Sequence, residues 1–147
     1  MKILLAIDDS KFSEAAAQTV IVQERPHDTE VRVLHVVEPP TLLVTREMGG
    51  YDSTLEAVWE AESKQAEALV AHTAEMLRSK GLRVTTAVGQ GDPKSKIIDE
   101  AEKWKADLIV LGSHGRTGLE RFLMGSVAEA VARHAPCSVE IVRIPKR

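Results

Sequence analysis

The stretch Gly112-Ser-His-Gly-Arg-Thr-Gly118, running on through Leu119-Glu-Arg-Phe-Leu-Met-Gly125-Ser126, decides how this chain is read. It follows Leu108-Ile-Val-Leu111, a short apolar, β-branched run bounded by polar residues, which predicts a buried strand. It ends at Ser126, where Ser126-x-x-Glu129 has the form of a capping box and predicts the start of a helix. A glycine-rich loop leading from a strand's carboxyl end to a helix's amino end suits an anion. Small residues let backbone N–H groups approach phosphate oxygens, and the helix start adds unpaired donors and a partial positive charge. The stretch reads as a triphosphate cradle.

Its spacing separates it from two better-known phosphate loops. G-x-x-x-x-G-K-[ST] is absent, so no lysine sits where one would grip the outer phosphates. Nor is there a G-x-G-x-x-G; Gly112, Gly115, Gly125 and Ser126 make G-x2-G-x9-G-S instead. A long connector between a strand and a helix is unusual in a compact domain unless it has a function.

Outward from this loop, the chain alternates strand and helix. Ile3–Ile7 is a continuous apolar run, as in the centre of a parallel sheet, and Asp8-Asp9-Ser10 breaks it. Ser13 to about Glu24 has helical spacing, and Val31–Val37 is a second strand closed by Pro39-Pro40. A polar connector reaches to about Asp52, with the character of a lid or partner surface. A long helix then opens at Ser53-x-x-Glu56 and closes at Gly81.

Leu82–Val88 is a third strand, and Asp92-Pro93 caps a helix whose inner face is Ile97, Ile98, Ala101 and Trp104. Leu108–Leu111, Ser126 to about His134 and Ser138–Ile144 complete the series. Five strands separated by four helices predict an α/β fold: a doubly wound five-stranded parallel sheet with helices on both faces. If the winding reverses between the first and fourth strands, Asp8 and Gly112 meet at the crevice where such sheets bind ligands.

Composition narrows the function. A chain of 147 residues reads as one domain, 1–147, and 44% hydrophobic with 28% charged residues is ordinary for a soluble protein. A net charge of −3 gives no broad footprint for nucleic acid. No apolar run is long enough for a membrane span or a signal segment, and a single cysteine fits a reducing, cytoplasmic setting. His114 has no companion ligands at metal-site spacing. Cys137, Trp59 and Trp104 read as packing residues, and Glu56, Glu60, Glu67 and Glu75 as a solvated helix face.

The G-x2-G-x9-G-S pattern, its preceding strand and the helix–strand unit after it resemble the universal stress protein family, and the likeness covers nearly the whole chain. The resemblance implies strand order 3-2-1-4-5 and ATP binding, with or without Mg²⁺ or Mn²⁺. Carried over by position, Asp8 would accept from ribose or adenine beside Ala6 and Ile7, and the backbone of Val36 would read the adenine edge. Gly112, Ser113, His114 and Gly115 would wrap the ribose and inner phosphates. Gly125, Ser126 and Val127 would hold the outer phosphates, with Arg116 and Arg121 as phosphate clamps or solvated loop residues.

One departure is Asp9, where many members have glycine; it would weaken phosphate binding or help hold a divalent cation. The plainer roles are glycines 112, 115 and 118 as turns needing positive φ, and Ser126 as a helix cap. The family likeness implies a homodimer through Ser138–Ile144 and a regulatory role in the stress response, with little or no turnover and no catalytic residue assigned. The alternatives are a slow Mg/Mn-dependent ATPase or phosphotransferase, and a dimeric partner-binding module without nucleotide.

Overall fold

The computed structural model describes residues 1–23, 25–39, 51–115 and 124–144. Strands and helices alternate along them: β1 Lys2–Ala6, α1 Lys11–Val22, β2 Glu30–Val37, α2 Tyr51–Arg78 and β3 Arg83–Gln90. Then follow α3 Pro93–Trp104, β4 Leu108–Gly112, α4 Ser126–His134 and β5 Ser138–Val142. The strands form one parallel sheet in the order β3-β2-β1-β4-β5. This is the expected doubly wound α/β arrangement, and its reversal lies between β1 and β4.

The apolar run of β1 makes sense once both faces of the sheet are covered, because successive side chains point to opposite sides. Ile3 and Leu5 enter a core with Val31, Val33 and Val110, roofed by Ala16 and Val20 of α1 and by Val70, Ala74 and Leu77 of α2. Leu4 and Ala6 enter a second core with Leu34, Ile109 and Leu111. Ile97, Ala101 and Trp104 of α3 and Ala128 and Val131 of α4 cover that side. Ile98, expected on the inner face of α3, is only half-buried. Trp59 is half-buried too, whereas the four glutamates of the α2 surface are exposed as expected.

Helix ends follow local chemistry with some shifts of boundary. Ser10, not Ser13, opens α1: its hydroxyl accepts from the Ser13 N–H at 3.3 Å. The α2 helix is already under way at Tyr51, so Ser53 lies inside it rather than at its start. At its far end Gly81 has φ +88°; its N–H donates to the Arg78 carbonyl, and the Leu82 N–H reaches back to Leu77. That pairing closes the helix with a left-handed residue, and Leu82 packs on the core containing Leu77.

Asp92 accepts from the Ser95 N–H and Pro93 is the first residue of α3, as expected. Strand β5 stops at Val142, two residues short of the expected Ile144. Cys137 is half-buried against the second core, and its burial pushes the thiol pKa up, which suits an inert packing residue.

Ile109 is wholly buried in β4, a strand flanked on both sides. Ile109→Ala should lower the unfolding free energy by about 2–5 kcal/mol, measured by urea denaturation.

Candidate functional site

The connection that leaves β1 is short and tightly tied. Ile7 continues the ladder by donating its N–H to the Leu34 carbonyl, and the His35 ring bridges to the Ile7 carbonyl at 2.7 Å. A carbonyl can only accept, so Nδ1 carries the proton in that contact. Asp8 then turns the chain into α1. Its N–H donates to Ser13 Oγ at 2.8 Å, while its Oδ1 accepts from the Ser10 N–H and from the Ser13 hydroxyl, each at 2.9 Å. Ser13 is 7% exposed, so this small network holds the carboxylate in a set direction. The other oxygen, Oδ2, faces Gly115: a Cβ built on that glycine would stand 3.1 Å from it.

The described glycines around the β4–α4 loop, Gly112, Gly115 and Gly125, are required by closeness, not by handedness. A Cβ on Gly112 would sit 2.7 Å from the Phe12 Cβ and 2.8 Å from that residue's backbone, so α1 could not lie where it does. One on Gly125 would meet the His114 Cα and the Ser113 carbonyl oxygen at 3.1 Å. Positive φ among the described glycines occurs only at Gly81 and Gly91, so the turn role proposed for Gly112 and Gly115 does not apply. Gly118 lies outside the described residues.

Where the chain returns to α4, the Gly125 N–H donates to the Ser113 carbonyl at 2.7 Å. Gly125, not Ser126, is the N-cap, with φ −61° and ψ 155°, and as a glycine it offers no side-chain cap. Ser126 is therefore the first helical residue, and the capping-box reading of Ser126 is corrected. The reason is steric: the tight approach at Gly125 leaves the extended cap conformation to a residue without a side chain. The exposed Ser126 hydroxyl stands at the mouth of the helix, beside first-turn N–H groups for which the helix itself supplies no acceptor.

These pieces surround one cleft of about 1070 Å³ at the carboxyl edge of the sheet. Ala6, Ile7, Asp8, Val36, Gly112, His114, Gly115, Gly125, Ser126 and Val127 all line it, and so does Asp9. Ser113 does not. It is 1% exposed, its N–H donates to the Val142 carbonyl, and its Oγ is hydrogen-bonded to His114 Nδ1 at 2.9 Å. Ser113 thus orients His114, whose ring also lies 5.0 Å from that of Phe12. Arg116 and Arg121 lie outside the described residues, as does nearly all of the 39–52 connector.

Sequence reasoning did not anticipate the far wall. Glu62, Gln65, Leu69 and His72 of α2 face the cleft, spaced three and four residues apart on one side of the helix. That spacing was visible, but only the packing of α2 across β2 and β3 turns the stripe toward the ligand side. The described lining carries Asp8, Asp9, Glu38 and Glu62 with His35, His72 and His114, and no lysine or arginine. An anion entering there would be met by backbone dipoles rather than fixed cations. Among the described residues, no group of three or more His, Cys, Asp or Glu is placed to hold a metal ion.

A doubly wound parallel sheet with a glycine-lined cleft at its reversal places the chain among the open α/β proteins, whose ligand crevices lie at such a point. The chain matches the universal stress protein family over residues 1–143, and it belongs to that family. It is 35% identical over 146 residues to a universal stress protein of Methanocaldococcus jannaschii, covering 99% of this chain and 84% of that one. The solved structure of hypothetical protein MJ0577 superposes with a TM-score of 0.84 at 27% identity, over 99% of this chain and 97% of that chain.

Two more distant structures share the fold. A universal stress protein in complex with cAMP has a TM-score of 0.66 at 19% identity, covering 97% of this chain and 96% of its own. An Arabidopsis thaliana family protein with AMP bound also has a TM-score of 0.66, at 18% identity, over 99% of this chain and 92% of that chain.

Ser13→Ala removes both the acceptor for the Asp8 N–H and a donor to its carboxylate. The variant should lose about 1–3 kcal/mol of stability in urea unfolding, because a part-buried donor loses its acceptor.

Proposed function

We propose that the cleft holds ATP, and that the protein is an ATP-binding regulatory protein of the stress response with little or no turnover. The observation that carries this reading is the convergence of Asp8, Val36, the Gly112–Gly115 segment and the Gly125–Ser126 helix start on one cleft. Buried Val36, at the carboxyl end of β2, suits an adenine edge by its backbone, with Ala6 and Ile7 as apolar neighbours. Asp8, held by Ser10 and Ser13, suits a ribose or adenine donor. The N-terminal turn of α4 and the Ser126 hydroxyl suit the outer phosphates. The cAMP and AMP seen in the two distant family structures support an adenine nucleotide as ligand class.

Low turnover follows from what hydrolysis needs. Attack on the γ-phosphate calls for a positioned water, charge neutralisation and usually a base. The described lining offers Asp9 and His114 as bases and no cationic side chain to steady the developing charge. With no preformed cluster of three ligands among the described residues, Mg²⁺ or Mn²⁺ would arrive on the triphosphate, with phosphate oxygens as its main ligands.

The reading includes a single domain working in the cytoplasm, and a homodimer through β5. That strand is an edge of the sheet, and edges offer unpaired backbone groups to a second copy. No described helix is long and apolar enough to cross a membrane.

Heat-denaturing the purified protein should release ATP into the supernatant, identified by chromatography. Recovery of ADP or AMP alone would favour hydrolysis; no nucleotide, together with no heat on ATP titration, would favour a partner-binding module. Ser126→Ala should weaken ATP binding about tenfold to a hundredfold, the loss of a hydrogen bond to a charged group worth about 1.5–3 kcal/mol. Unchanged affinity in calorimetry would remove Ser126 from the site.

A further inference from the structure

A second hollow, of about 340 Å³, lies at the opposite edge of the sheet, where the chain enters β2 and β3. It is formed by the end of α1, by Gln23, Arg25–His27 and Thr29 of the connector, and by the turn from α2 to β3. Its charged lining among the described residues is of one sign: Arg25, Lys80 and Arg83, joined by His27, with no carboxylate. That is notable in a chain whose net charge is −3.

The cations are incompletely used. The Arg25 side chain is 12% exposed; its Nη2 donates to Glu140 at 3.2 Å and also to Gln23. Its Nε is buried and has no hydrogen-bond partner among the described residues. A charged donor taken out of water without an acceptor is costly, and such orphans point to an absent partner. Arg83 donates to the Asp28 carbonyl at 2.7 Å, which satisfies one N–H, and it has no ion pair with an acid among the described residues. Lys80 makes no side-chain contact with an acid among the described residues, and Val20 and Leu82 give the hollow an apolar wall. Placement just beyond α2 suits Lys80 as a complement to the helix dipole, but that accounts for neither Arg83 nor the orphaned Arg25 nitrogen.

We infer that this hollow is a binding site for a small organic anion, its phosphate or carboxylate head held by Arg25, Lys80 and Arg83 and its apolar body lying against Val20 and Leu82. Guanidinium groups pair well with such heads because their N–H forks match the oxygens. The site is independent of the nucleotide cleft, since the two sit at opposite ends of the strands.

The test uses the full isotopically labelled chain, titrated with inorganic phosphate and with phenyl phosphate at constant ionic strength while amide shifts are followed. Saturable shifts are expected at Gln23, Arg25–Thr29 and Lys80–Arg83, with phenyl phosphate binding several-fold more tightly than phosphate. The double variant Lys80→Gln with Arg83→Gln changes two exposed residues and should weaken both ligands about tenfold or more. The inference is overturned if the response equals that of chloride, fails to saturate, is confined to Gly112–Gly115 and Gly125–Ala128, or survives the double substitution. Phenyl phosphate binding no better than phosphate would overturn the apolar half of the site.

Discussion

The pairing of β1 with β4, Ala6 opposite Leu111, is the constraint from which the rest of this molecule follows. These strands are far apart in the chain, yet their carboxyl ends finish side by side. One end turns away into α1 through Asp8, and the other leaves through Gly112 for α4. Because β2 lies on one flank of the pair and β5 on the other, the chain winds in opposite senses from this point. A crevice opens where two crossovers diverge, and no main-chain element among the described residues fills it.

That crevice is shaped by close approach. Gly112 is small because the Phe12 backbone lies against it, and Gly125 is small because the loop returns across Ser113. Each contact trades a side chain for proximity. The result is that a carboxylate with a fixed direction, a helix's first turn and a strand-end backbone face the same space. Ser113 takes part without lining that space, and Ser13 lines it while tying Asp8. Both are buried, and both serve by orienting a neighbour, Asp8 in one case and His114 in the other. The described lining carries acids and imidazoles and no lysine or arginine, so an anion there would be met by backbone donors, which cost no desolvated side-chain charge to present.

The two edges of the sheet differ in chemistry as well as position. Among the described residues, acids and imidazoles surround glycine-rich backbone at the carboxyl edge; at the amino edge, arginine and lysine line a smaller hollow. Loops at either end of a parallel sheet are free to diverge because the buried strands carry the stability.

Read in order, the residues were enough for the alternation of strand and helix. Parallel-sheet strands are largely apolar, and Gly81 and Asp92 punctuate the helices through bonds to their near neighbours. The four loop residues Gly112, Gly115, Gly125 and Ser126 were equally legible, since their spacing is a local property. Boundaries were less so, as at Ser53, because a capping pattern also occurs inside a helix that tertiary packing prolongs. Three things waited on the folded chain: that Gly125 rather than Ser126 caps α4, that Ser113 points inward, and that α2 supplies a wall through Gln65 and His72. Each depends on contacts between segments remote in sequence, and periodicity carries information about a segment's own faces but none about what will lie against them.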